Sequence, residues 1–151
     1  MNTNFLLPNK YKFLGWTLLT FGILIGFYVI ASDYESDLLE IKVLSIFSDP
    51  LIGGNKGFFK LIENSIVDEI ACLLIIIGGL TVGFSKEKIE DEFIAKLRTD
   101  SLIWALVINY LILALTIVFV YDLTFFNILV FNMFTPLLFF IVRFNFLKIR
   151  A

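Results

Sequence analysis

The chain has 151 residues, 59% of them hydrophobic, with a mean hydropathy of +0.91 and a net charge of −2. So much apolar material does not fit inside one water-soluble shell of this length, which makes the bilayer the expected solvent. The acidic balance excludes a phosphate-tracking nucleic-acid binder. With no histidine and only one cysteine, Cys72, the chain lacks the commonest general base and metal ligand and cannot form an internal disulfide or a thiolate zinc site. Cys72 lies in an apolar run and reads as a small packing residue.

Residues 1–12 are a short polar start ending in Lys10-Tyr11-Lys12. Residues 13–31 carry no charge and as a helix reach about 28 Å, the hydrocarbon thickness. The run is too long for the core of a signal peptide, although Val29-Ile30-Ala31 resembles a cleavage site. It is expected to be the first transmembrane helix, with Gly22 and Gly26 as a G-x-x-x-G for close helix approach. Residues 32–65 form the one sizeable loop, opening on Asp33, Glu35, Asp37 and Glu40. Leu39-Glu40-Ile41-Lys42-Val43 alternates like a short strand, while Ser48-Asp49-Pro50 and Gly53-Gly54-Asn55-Lys56-Gly57 are turn signals. A hairpin or two interface-lying segments would fit, as a short cap on the outer surface or, in the alternative, as a ligand-sensing pocket.

Asn64-Ser65 offers an N-cap for a second helix over 66–84, with Asp68 and Glu69 in its first turn, where carboxylates suit the helix dipole. Capping is the favoured role for these two outer-interface acids, ahead of the start of an ion path. Gly79 and Gly83 make a second G-x-x-x-G.

Residues 85–101 are the densely charged island of the chain. Lys88, Glu92, Lys96 and Asp100 follow one another at i,i+4 with alternating sign, each pair contributing about 0.2–0.5 kcal/mol. With no glycine or proline before the next apolar run, one helix is expected from about residue 86 to 120, spanning at 102–121 and projecting into the cytoplasm. Ile89, Phe93, Ile94 and Leu97 share an arc of it, interrupted by Glu90; these five are the candidate partner-docking residues. The carboxylates Glu87, Glu90, Asp91 and Glu92 do not converge along a helix, and lysines interleave them, so no metal site is expected. A fourth helix over 123–142 follows the turn Tyr121-Asp122 and contains Asn127, Asn132, Thr135 and Pro136, with a kink expected at the proline. Thr20, Asn109 and Asn132 fall at similar depth, about 10–15 Å in, and with Thr135 make a candidate buried polar layer.

With both termini and the island cytoplasmic, Lys10, Lys12, Lys86, Lys88, Lys96, Arg98, Arg143, Lys148 and Arg150 lie inside and only Lys42, Lys56 and Lys60 outside. Trp16 and Trp104 then both sit at the inner interface. The expected fold is all-α: a four-helix transmembrane bundle, N-in and C-in, with helix three extended and a small outer cap. No nucleotide-binding glycine loop, C-x-x-C or H-E-x-x-H is present, and no enzyme activity or cofactor is expected.

Asn64 with Asp68-Glu69, Ser85-Lys86-Glu87-Lys88-Ile89-Glu90-Asp91-Glu92-Phe93, Lys96-Leu97-Arg98, Trp104, Asn109-Tyr110, Asn132-Met133-Phe134-Thr135 and Arg143-Phe144 carry a resemblance. In these the chain is similar to a group of small uncharacterised bacterial four-helix integral membrane proteins often encoded beside helix-turn-helix regulators. The resemblance implies a bacterial membrane-protein family and a gene neighbourhood, not an activity; a location in the inner membrane and a cytoplasmic partner such as a transcriptional regulator are expected, and the acidic balance argues against direct nucleic-acid binding. The expected function is a signalling or accessory subunit that docks a cytoplasmic partner or a second copy through 85–101. The alternative is a small transporter or an oligomeric pore that uses the polar layer.

Overall fold

A computed structural model describes residues 5–32, 40–48 and 57–150. The turn signals at Asp49-Pro50 and Gly53–Lys56, and the acids Asp33, Glu35 and Asp37, lie outside the described residues. The order is α1 (Lys10–Ala31), β1 (Glu40–Ser48), β2 (Gly57–Ser65), α2 (Val67–Gly83), α3 (Glu92–Phe119), α4 (Asp122–Asn132) and α5 (Thr135–Arg150). The fold is mostly helical. α1 and α3 are each long and apolar enough to cross a membrane, and α4 with α5, bent by 45° at their junction, make a third if taken as one broken span. α2 has 17 residues, about 25 Å of helix.

The two strands, longer than the 39–43 segment the alternation suggests, pair antiparallel from Glu40↔Ser65 to Ser48↔Gly57. Phe59 interrupts their regularity at φ 53°, a conformation costly for an aromatic residue. The hairpin leaves Leu44, Ile46, Phe58, Phe59 and Leu61 exposed, and no helix packs along it among the described residues. Its second strand runs almost directly into α2, so the residue capping α2 is Ile66, without a side-chain bond, and not Asn64 or Ser65.

The helices pack as α1 on α2, α2 on α5 and α5 on α3, with α4 attached more loosely. Glycines govern the first contact. A Cβ at Gly78 would stand 2.5 Å from the Leu19 backbone nitrogen, and one at Gly22 2.8 Å from that of Ile75. The second G-x-x-x-G serves a different neighbour: Gly79 and Gly83 admit Leu137 and Phe140 of α5. The buried core is small, gathering Leu19, Ile75, Val82, Ala105, Phe134, Phe140, Ile141 and Phe144. Larger apolar side chains such as Phe21, Leu24 and Phe27 of α1, and Val107, Tyr110 and Leu111 of α3, face outward.

The fourth helix of the sequence reading is broken in two. α4 ends at Asn132, and Met133-Phe134 turn the chain into α5, whose second residue is Pro136. Proline fits that first turn because its missing N–H would have no intrahelical partner there. The break thus falls just ahead of the proline and separates two helices; no single kinked helix runs through it.

Candidate functional site

The charged island is organised differently from the continuous helix its charge ladder suggests. Residues 85–91 are a loop, and α3 starts only at Glu92. The N-terminal segment holds the loop open. Leu7 pairs with Ser85 in a parallel bridge, its N–H donating to the Phe84 carbonyl at 2.9 Å and its own carbonyl accepting from Lys86 N at 2.8 Å. Asn9 Nδ2 donates to the Lys86 carbonyl at 2.7 Å. Asp91, in extended conformation, caps α3 by accepting from Ile94 N at 2.8 Å. Lys88 therefore leaves the i,i+4 ladder. Pairs worth a few tenths of a kcal/mol each yield to a backbone bridge, a cap and a set of partly buried ion pairs.

Those ion pairs centre on Glu87 and Glu90. Arg98, buried on α3, donates through Nη1 to Glu90 Oε1 at 2.5 Å and through Nη2 to Oε2 at 3.1 Å and to the Ser85 carbonyl at 3.2 Å. Glu90 Oε2 also accepts from Glu87 N at 2.9 Å, closing the loop on itself. Glu87 Oε1 accepts from Lys12 at the start of α1 and from Lys148 near the end of α5, the latter at 3.1 Å. Beneath them the fully buried Phe144 ring receives Arg98 at 5.0 Å and Lys12 and Lys148 each at 5.8 Å, within cation–π range. Burial disfavours ionisation of Glu87, but hydrogen bonds from Lys12 and Lys148 outweigh it and hold its pKa below the ordinary carboxylate value. Glu90 is lowered in the same way, burial being outweighed by Arg98 and by the Glu87 backbone amide.

The five docking candidates do not form one surface. Ile94 and Leu97 pack against the core, and Glu90 turns inward to Arg98. Ile89, in the loop, is 77% exposed, and Phe93, in the first turn of α3, is 55% exposed. The shared arc fails because Ile89 is not on the helix at all. The flanking Lys88, Asp91, Glu92 and Lys96 are exposed. Sequence reasoning missed Arg98, Lys12, Lys148 and Leu7 as the residues that fix this corner. The i,i+8 spacing of Glu90 and Arg98 is not a helical neighbour distance, and the other partners are remote in sequence.

The polar layer divides too. Asn109, buried on α3, and Asn132, at the end of α4, exchange two amide hydrogen bonds of 3.2 and 3.0 Å. Thr135 donates to the Phe131 carbonyl across the break at 2.9 Å. Thr20 is not in the layer: it is exposed and donates to the Trp16 and Thr17 carbonyls of its own helix, a self-sufficient arrangement open to any helical threonine. Asp68 and Glu69 are exposed in the first turn of α2. Asp68 borders an apolar cavity of about 310 Å³ between α1, α2 and the α4–α5 junction, which Cys72 also lines. Among the described residues no three His, Cys, Asp or Glu side chains come together to hold a metal ion.

Comparison with protein-family models, with curated proteins and with solved structures gives no match for this chain.

Proposed function

We propose that the chain is a non-enzymatic, four-pass protein of the bacterial inner membrane, with α1, α2, α3 and the bent α4–α5 pair as its spans, and that it is a signalling or accessory subunit which docks a cytoplasmic protein partner. The surplus of outward-facing large apolar side chains on α1 and α3 supports a lipid-exposed bundle. The concentration of basic residues at the start of α1, in the loop before α3 and at the end of α5 supports a cytoplasmic placing of that end.

The observation that carries the docking reading is the exposure of Ile89 and Phe93 on a corner whose backbone is pinned from three directions. Two large apolar groups held rigid beside charges of both signs form an apolar centre with a polar rim, the usual anatomy of a protein interface. Rigidity lowers the entropy cost of association.

Two measurements test this. In a Cys72→Ser background, Lys88→Cys should be protected from an impermeant thiol reagent applied outside, and Leu44→Cys should react; the reverse pattern overturns the topology. A photo-crosslinker at Phe93 should give a discrete product in cells, lost on Ile89→Asp, while one at exposed Thr99 should not. Equal products at both positions, or persistence in the Ile89→Asp protein, would remove the corner as a docking surface.

A further inference from the structure

A cavity of about 700 Å³ opens between the start of α1, the loop before α3 and the end of α5. Four lysines line it, Lys10, Lys12, Lys88 and Lys148, against two carboxylates, Glu87 and Asp91, so its lining carries a net charge of +2 in a chain whose net charge is −2. The lining is thus positive although the chain as a whole is negative. It is gathered from three separate elements. Two of the lysines share a single carboxylate oxygen, that of Glu87, which leaves one positive charge uncompensated in a half-buried place. Lys10 and Lys88 form no ion pair among the described residues. Phe13 and Ile89 continue the cavity wall, and Phe13 is exposed on the outer face of α1.

We infer that this cavity binds a phosphate group, with Lys10, Lys12, Lys88 and Lys148 as its cationic ligands. Lysine ammoniums are suited to phosphate as compact, strongly hydrated donors on flexible stems. The two sources of such a group are an anionic phospholipid headgroup and free phosphate from the cytoplasm. The apolar exit past Phe13 suits a phosphate with acyl chains attached, and a basic pocket at the cytoplasmic end of a helix bundle is where headgroups are held. Ile89 belongs to both the cavity wall and the docking corner, but Phe93 and the four lysines are not shared, so loss of partner docking through Phe93 leaves the phosphate ligands standing.

The experiment uses the full-length protein, extracted in mild detergent with defined phosphatidylglycerol and phosphatidylcholine added, and counts retained lipid by native mass spectrometry. Preferential retention of phosphatidylglycerol is expected. Lys10→Gln with Lys88→Gln, which spares the Glu87 pairs, should lower that preference on the order of tenfold or more. Lys96→Gln, outside the cavity, should leave it unchanged. Lys12→Gln with Lys148→Gln should abolish the preference; gel filtration and circular dichroism confirm that this variant folds, and if it does not, the Lys10–Lys88 pair decides alone. Millimolar inorganic phosphate that displaces the lipid shows a phosphate site open to solution; lipid retained against phosphate assigns the site to the headgroup. Equal retention of the two lipids by the parent together with no binding of inorganic phosphate overturns the inference, as does a preference that survives loss of Lys10 and Lys88.

Discussion

Between α1 and α2 the backbones touch, whereas α3 and α4 are joined by a pair of amides and no α4 residue is fully buried. The first contact uses glycine to remove side chains from the interface; the second uses two asparagines that satisfy each other. In lipid there is no hydrophobic gain from bringing two apolar helices together, so close packing and internal hydrogen bonds must do it. The two contacts show these solutions separately, and they should differ in how they fail.

The largest effect is expected at Gly78. A side chain there meets the Leu19 backbone and the Gly15 carbonyl, none of which can rotate away. Gly78→Val should cost about 3 kcal/mol, the upper end of the overpacking range, measured by unfolding in mixed micelles. A Gly78→Val protein as stable as the parent would mean that α1 and α2 are not held at backbone contact.

Acid should act next, and at the charged end. Glu87 and Glu90 have pKa values held below their ordinary 4.5 in the folded chain. A depressed folded pKa gives stability that is complete above the unfolded value and is lost as pH falls through the folded one. Thermal stability should therefore be flat from neutral pH to about 5 and fall below 4.5 as these pairs protonate. Glu87→Gln should lower the plateau and flatten the acid limb. The glycine contact between α1 and α2 carries no ionisable group, so a cross-link placed there should report no pH dependence over the same range.

How much of this was open to sequence reading differs between the same regions. The apolar runs and the asymmetry of basic residues follow from composition, whereas proline's missing N–H points to a kink within one helix and the structure has two separate helices there. Counting residues puts Asn109 and Asn132 at one depth, and the structure brings them into contact. Thr20 shared that depth but faces away, because depth fixes height along a helix and not azimuth. The glycine motifs are visible in the sequence, yet which glycine touches which helix is not: Gly22 meets the α2 backbone, Gly26 only the tip of the Ile75 side chain, and Gly79 and Gly83 meet α5. The island misled most. Its local charge pattern favours helix, and the forces that override it come from Leu7, Lys12 and Lys148, each too far along the chain for a local pattern to reveal.

The amide pair tests the other half of the comparison. Interhelical hydrogen bonds in membranes contribute about 0.6 kcal/mol on average. Asn109→Leu or Asn132→Leu alone should cost somewhat more than that, since each leaves a buried or half-buried amide without its partner. The double replacement should cost less than the sum of the two. A double-mutant cycle in micelles measures the coupling; strict additivity would show that the amides are neighbours without being partners.

The smallest effect is expected at Gly26, and it sharpens the comparison most. Gly22 and Gly26 look alike in sequence, one helical turn apart on α1. A Cβ at Gly22 would press on the Ile75 backbone, while one at Gly26 meets only the end of the Ile75 side chain, at 3.9 Å, which is ordinary contact. Gly26 borders the apolar cavity near Asp68 and Cys72, so an added methyl group enters open volume. Alanine also costs less conformational entropy than glycine in a helix, by up to about 1 kcal/mol in exposed positions. Gly26→Ala should thus be neutral or slightly stabilising, within about 0.5 kcal/mol of the parent, whereas Gly22→Ala should destabilise. The pair is best measured side by side in the same micelles. Equal losses at both positions would mean that α1 approaches α2 along its whole length and that the cavity closes in the membrane; a loss confined to Gly22 fixes the point at which the two helices diverge.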